Sequence, residues 1–311
     1  MSEPFDRPEV VEAAAAWEAA GQRIGTPNGQ VWYARLPADR DAGNPPLLVL
    51  HGFPTCSFDW KAVLPALRAK RDVVVLDVHG FGLSDKPDHR YSIRAYADDV
   101  QAVIAAEGLT EVDLVTHDMG DTVGGEILAR TLEGALDLAV RRRVVTNGSI
   151  YIDMAQLTLG QQVLLGLPDE ANDLVASDGG TAYRAGVVGT FAEDTAIDDQ
   201  TELDLDVTTH LAVRQGGLAM LPRTIRYIED RRAEERRFTG AIEEHPSPVG
   251  VVWGDLDPVA VHAMAETLVA ARPGTPLTTL DGVGHYPMVE APERFAAAVL
   301  DLLDHQLQGN P

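Results

Sequence analysis

One carboxylate stands where the chain must turn sharply. Val112 to Gly120 reads Val-Asp-Leu-Val-Thr-His-Asp-Met-Gly, an apolar strand entering a tight bend, with a helix expected to open at Asp121-Thr122-Val123-Gly124. Such a bend lifts its central side chain above a sheet and needs small flanking residues; here Thr116 and Gly120 flank Asp118. A serine at the centre would attack acyl carbon. A carboxylate attacking an acyl group would form an energetic anhydride, so Asp118 is suited instead to displacing a leaving group at saturated carbon, which leaves an alkyl ester on the protein. Freeing that ester takes water activated by a histidine that an acid orients. The helix N-terminus behind Asp118 favours its ionised form. A simpler role is also open to it, because aspartate is a preferred helix-capping residue.

The other parts of such a machine occur further along. Val251-Val252-Trp253-Gly254-Asp255-Leu256-Asp257-Pro258 is a strand end followed by a turn with two carboxylates. Asp281-Gly282-Val283-Gly284-His285-Tyr286-Pro287 sets His285 in a glycine-lined loop after a last strand. In Leu50-His51-Gly52-Phe53-Pro54 the glycine lets the backbone turn so that the Phe53 amide faces the site. With the Met119 amide it would form an oxyanion hole for ester hydrolysis. His117 and the remaining histidines are read as structural or exposed, and Cys56 as a small buried residue with no activating base.

The elements that must position these residues are legible from patterning. Gln22–Ile24 and Gln30–Leu36 flank the turn-like Thr26-Pro27-Asn28-Gly29 and predict an antiparallel hairpin. Leu47–Leu50, Val73–Leu76, Val112–Val115, Arg143–Thr146, Val249–Trp253 and Leu277–Leu280 are short and Val/Leu-rich, as strands covered on both faces are. Leu128, Leu132, Ala135 and Leu136 predict one helix face, and Phe295, Val299, Leu302 and Leu303 a closing C-terminal helix. From Tyr151 to His245 the strand alternation stops, which predicts a mainly helical cap. The chain thus divides into a first core part (1–150), the cap (151–245) and a second core part (246–311). The charge runs Glu193–Asp206 and Arg231–Arg237 are expected to be solvated faces of that cap. The fold class is α/β, a mostly parallel central sheet flanked by helices.

Lys plus Arg number 25 against 48 Asp plus Glu, a formal net charge of −23, which argues against nucleic acid or an anionic membrane as partner. One cysteine in 311 residues excludes an internal disulfide framework. Met1 to Gly21 lacks the basic start and apolar stretch of a secretory leader, and no apolar run approaches a membrane span. A cytoplasmic location is the expectation, with monomer and homodimer both open.

Together these segments resemble the branch of the α/β-hydrolase superfamily that contains epoxide hydrolases and haloalkane dehalogenases. Asp77-Val78-His79-Gly80-Phe81-Gly82-Leu83-Ser84-Asp85-Lys86-Pro87 is typical of that branch. The likeness extends to the mesoderm-specific transcript protein group through His117-Asp118-Met119-Gly120-Asp121, Tyr91-Ser92-Ile93, Asn147-Gly148-Ser149-Ile150, Leu256-Asp257-Pro258-Val259 and Gly284-His285-Tyr286-Pro287. The resemblance implies the α/β-hydrolase fold with Asp118 as nucleophile, Asp257 rather than Asp255 as acid, and His285 as base. No cofactor and no metal are implied. Dehalogenases hold the leaving halide with side-chain N–H donors, but Met119 and Phe53 occupy those places, and Trp17, Trp32, Trp60 and Trp253 all lie outside the cap. Epoxide hydrolases use cap tyrosines to protonate the released oxygen, which points first to Tyr227 and then to Tyr183, with Tyr151 the third phenol of the cap. The expected reaction is therefore epoxide opening to a diol, with a small apolar substrate and water as the reactants. A haloalkane dehalogenase, an ester or lactone hydrolase, and a non-catalytic ligand-binding protein on the same fold are the alternatives.

Overall fold

Valine- and leucine-rich runs account for most of the strands in the computed structural model, which describes residues 5–307; the first four residues of the acidic N-terminal segment lie outside them. The strands are β1 (Gln22–Thr26), β2 (Gly29–Leu36), β3 (Leu47–Leu50), β4 (Val73–Leu76), β5 (Glu111–His117), β6 (Ala139–Thr146), β7 (Val249–Gly254) and β8 (Leu277–Leu280). Among the described residues they form an eight-stranded sheet in the order β1-β2-β4-β3-β5-β6-β7-β8. The predicted hairpin is β1 and β2, antiparallel to each other, and β2 is antiparallel to β4. From β4 to β8 all pairings are parallel. Register brings the site together: Leu50 lies opposite Thr116, Thr116 opposite Val145, and Thr146 opposite Val252. The loops after β3, β5, β6 and β7 therefore leave the sheet along one edge, where open α/β sheets build their sites. Strand β6 starts four residues before the expected Arg143, its apolar residues interrupted by three arginines.

The lower end of β5 is pinned by charge. Asp113, fully buried, accepts hydrogen bonds from Arg71 at 3.0 Å and from Arg142 at 2.6 and 2.8 Å. Arg71 is itself buried, so the cluster is a desolvated ion network whose partners depend on one another.

The helices of the first part are α1 (Pro8–Ala19), α2 (Leu64–Leu67), α3 (Ile93–Ala106) and α4 (Met119–Leu132). The face predicted to run on to Leu136 stops early, because Gly134 adopts the left-handed conformation (φ 70°) just past the helix end; Leu132 is left half exposed. Between β6 and β7 every regular element is helical: α5 (Leu159–Gly166), α6 (Thr181–Val188), α7 (Asp199–Val213), α8 (Leu221–Thr224) and α9 (Tyr227–Glu244), with short 3-10 turns. After β7 come α10 (Ala263–Ala271), α11 (Pro287–Glu290) and α12 (Pro292–Asp301). The predicted closing face, Phe295, Val299, Leu302 and Leu303, is buried.

Helix α9 corrects the reading of its charge run as a solvated face. Arg231 is buried, its Nε donating to Thr122 Oγ1 on α4 at 2.9 Å, and Arg237 donates to the buried Glu126 on α4 at 2.6 and 3.0 Å. Those arginines clamp α9 to α4. In α7 the acidic run is likewise partly paired: Asp204 with Lys61, Asp206 and Glu202 with Arg184. Among the described residues no helix is long and apolar enough to cross a membrane.

Candidate active site

Asp118 sits at φ 49°, ψ −115°, a backbone conformation that costs a non-glycine residue about 1–3 kcal/mol and persists only where its surroundings enforce it. It precedes α4 in the capping position, yet its side chain makes no capping hydrogen bond, so the simple capping role fails. Its carboxylate turns instead toward the loop after β3, where Oδ2 accepts the Phe53 N–H at 2.8 Å. Two glycines make that approach feasible. A Cβ at Gly52 would lie 2.6 Å from the Asp118 Cβ, and one at Gly120 would lie 2.7 Å from the carbonyl oxygens of Leu50 and His51. Gly52 is thus required less for a turn than for room beside the carboxylate. Met119 opens α4, so its amide is one of the first N–H groups of that helix, which lack intrahelical partners.

The imidazole of His285, 3% exposed, bridges the two acids predicted for it. Its Nδ1 lies 2.8 Å from Asp257 Oδ2, where the N–H donates, and its Nε2 faces Asp118 Oδ1 at 3.9 Å. Asp257 is fixed in turn by the amides of Val259 and Ala260 at 2.7 and 2.9 Å on Oδ1. Asp255 is exposed and accepts the Gly282 amide at 2.7 Å; it does not face the histidine. Burial disfavours the imidazolium, but the carboxylates of Asp257 and Asp118 outweigh it and hold the His285 pKa up at about 9. At neutral pH His285 therefore rests as the imidazolium. His117 behaves oppositely: burial and the neighbouring His285 push it down to about 4, and it supports the loop by a 2.8 Å hydrogen bond from Nε2 to the His285 carbonyl. Cys56 is buried and its thiol is pushed up, first by that burial, which leaves it without thiolate character.

The predicted tyrosines occupy different places. Tyr227, the first residue of α9, is buried with its ring centroid 5.5 Å from that of Phe53 and the Arg231 guanidinium 4.9 Å above it. Burial first, and then the charge of Asp118, raise its phenol above the ordinary value. Tyr183 on α6 donates to the Pro54 carbonyl at 3.2 Å and lines the cavity described below. Tyr151 is turned away, bonded to Glu243 at 3.0 Å.

Three further residues escaped the sequence reading. Asn147, at φ 47°, donates from Nδ2 to Asp257 Oδ2 at 2.7 Å and to the Gly284 carbonyl at 3.2 Å, while its Oδ1 accepts the Gly254 amide at 3.1 Å; one side chain thus ties β6, β7 and the histidine loop together. The Tyr286 ring lies 5.1 Å from those of both His285 and His117, and its hydroxyl donates to the Phe53 carbonyl at 3.3 Å. Asp59 is buried beneath, held by the Thr55 hydroxyl, and burial pushes its carboxyl up to about 8. The only signals for Asn147 and Tyr286 were the short motifs that contain them.

His285 opens onto a cavity of about 660 Å³, walled at its inner end by Phe53, Pro54, Tyr183, Val259, His285 and Tyr286, and outward by α5, α6 and the segment between them; Asp118 and Tyr227 are not part of its wall. Its lining is mainly apolar, the usual character of a small-molecule site. None of the four tryptophans borders it.

Comparison with known proteins agrees with this architecture. Residues 47–298 match the model of the alpha/beta hydrolase family. The chain is 37% identical over 290 residues to the putative hydrolase LipZ of Mycobacterium tuberculosis, covering 92% of this chain and 96% of that protein. It is 29% identical to the human mesoderm-specific transcript homolog protein over 96% of this chain and 90% of that one, which bears out the resemblance read from the motifs. Among solved structures, the epoxide hydrolase CorEH superposes with a TM-score of 0.74 at 18% identity, over 91% of this chain and 98% of its own; at that identity the likeness concerns the fold. By sequence and by architecture, this chain belongs to the alpha/beta hydrolase family.

Proposed function

We propose that the protein hydrolyses epoxides through an ester on Asp118. The observation that carries this reading is a carboxylate held at a strained bend by the Phe53 amide, 3.9 Å from an imidazole that a second, fully hydrogen-bonded acid supports. Asp118 attacks a ring carbon; the carbon–oxygen bond of the ring breaks, and the released oxygen takes a proton from a phenol, Tyr227 in the first place and Tyr183 in the second. Alkylation removes the Asp118 charge that helps keep His285 protonated, so the imidazolium passes its proton to the tyrosinate and becomes the base of the second step. His285 then deprotonates water, the hydroxide adds to the ester carbonyl, and the Phe53 and Met119 amides stabilise the oxyanion. Collapse to carboxylic acid and alkoxide, followed by proton transfer between them, yields the diol and restores both Asp118 and the imidazolium.

Two features favour ring opening over halide displacement. Tyr183 and Tyr286 line the inner end of the cavity and the charge of Asp118 acts on the Tyr227 phenol, whereas among the described residues His285 is the one cavity-lining side chain at that end with an N–H. A single turnover in heavy-oxygen water with enzyme in excess tests the scheme. The label is expected in Asp118 and absent from the diol, and Asp118→Asn should abolish turnover of epoxides. Label passing straight into the diol, or haloalkanes or aryl esters consumed where epoxides are not, would overturn it.

A further inference from the structure

The cavity has a mouth that differs from the rest of the surface. Leu159, Val163 and Leu174 are 77%, 57% and 81% exposed, and all three belong to the wall of the same cavity that ends at His285. A scattered exposed leucine needs no explanation, but apolar side chains gathered on the rim of a functional cavity mark what passes there. Helix α5 carries Leu159 and Val163 of this rim, and none of its residues is fully buried. It is nonetheless held in place: its capping box closes the N-terminal end through Thr158 and Gln161. At the other end Arg226 donates to the carbonyls of Leu165, at 3.1 Å, and Leu167. The rim is thus a positioned apolar surface.

Charge narrows what it fits. Among the described residues the lining contains no lysine or arginine, and its one carboxylate, Asp178, is already engaged by the amides of Gly180 at 3.0 Å and Ala182 at 2.7 Å. Asp169, Glu170 and Asp173 follow α5 in the chain. The guanidinium of Arg226 is occupied by the α5 carbonyls and by Glu229 at 2.8 Å. An anionic group would find no lysine or arginine in this wall among the described residues, and Asp169 is already paired with Arg90 and Arg223, whereas a hydrocarbon chain would meet Leu159, Val163, Leu174 and the apolar wall below them.

We propose that the substrate is a long, uncharged alkyl compound whose reactive end reaches His285 and Asp118 while its tail leaves along α5 over Leu159, Val163 and Leu174. This rests on the ring-opening reading for the chemistry at the inner end, but the binding of the tail does not depend on it. Two readouts keep them separate. In the first, straight-chain alcohols from hexanol to tetradecanol displace a neutral solvatochromic dye, Nile red, from the wild-type protein. The dissociation constant is expected to fall by about three- to fourfold per added methylene, and decanoate is expected to bind at least tenfold more weakly than decanol. In the second, kcat/KM is measured for epoxyhexane, epoxydecane and epoxytetradecane and should climb along the series, with a flattened slope in the Leu159→Ser/Leu174→Ser double variant. These two side chains are exposed, so the double variant should keep its fold, which circular dichroism verifies.

A steep alcohol series without epoxide turnover would support the tail site and overturn the ring-opening reading. Turnover with no dependence on chain length in either series would overturn the tail site and leave the reaction standing. Decanoate binding as tightly as decanol, or an unchanged slope in the double variant, would overturn the assignment of the tail to this uncharged rim.

Discussion

The proton on His285 decides which half of the proposed reaction is slow. With its pKa held at about 9 beside two carboxylates, the imidazole is the wrong base for the resting enzyme and the right acid for recharging a tyrosinate. It becomes a base only once Asp118 is esterified. His285→Gln is therefore expected to alkylate normally and then stall, with hydrolysis slowed by about 10²–10⁴-fold, the usual worth of a positioned general base. Intact-protein mass spectrometry during turnover should show the adduct, and its absence under excess substrate would argue against a covalent step. Asp257→Asn should resemble it, since Asn cannot hold the imidazole in the Nδ1–H tautomer or support its charge. At this scale the sequence was most informative where a role depends on local backbone: the bend at Asp118 and the glycine-lined histidine loop are written in adjacent residues. Asn147 was not legible as a support, because its meaning lies in contacts with Asp257 and Gly284, 110 and 137 positions away.

At the scale of elements, β5 delivers Asp118 to the top of the sheet and is tied down at its other end by Asp113. Asp113→Ala would leave the guanidinium of Arg71 buried without that carboxylate, with Arg142 losing two hydrogen bonds. Removing one member of such a desolvated pair costs about 3–5 kcal/mol, to be read from the urea unfolding midpoint; a loss under about 1 kcal/mol, the worth of an exposed pair, would show that the cluster is hydrated. The strands were recoverable from sequence because continuous Val/Leu runs have few other uses. The helices between β6 and β7 were recoverable only as a class. Helix α9 shows why: its mean hydropathy is low and its arginines look solvated, yet Arg231 and Arg237 are directed onto Thr122 and Glu126 of α4, a pairing that no periodicity within α9 reveals.

Across the whole molecule, acidity and the buried site act on stability with the same sign. His285 is raised from 6.5 to about 9 and Asp59 from 3.8 to about 8, so between those values the folded state binds more protons than the unfolded chain and stability falls as pH rises. For His285 the contribution is complete below about 6.5 and lost as pH passes about 9. Repulsion within a chain of net charge −23 grows over the same range, but salt screens it and hardly touches buried groups. The unfolding midpoint is thus expected to decline from pH 6.5 to pH 8 even in high salt, below the range where the buried Lys86, pushed down to about 8, loses its proton and opposes the trend, and Asp59→Asn should flatten part of that decline; a decline that salt removes entirely would assign it to the surface alone. The clamp between α4 and α9 has one more consequence. Tyr227 and Asp118 each stand at the N-terminal end of one of two helices bolted side by side, so the spacing between the proposed proton donor and the proposed nucleophile is set by that pair. The span from Thr158 to Asp198 carries neither Tyr227 nor Asp118, although its Thr190 carbonyl accepts the His285 amide at 3.0 Å. Relatives could therefore vary the outer wall around α5 like the interchangeable jaw of a tool, altering what is gripped while the Thr190 carbonyl still anchors the working edge at His285.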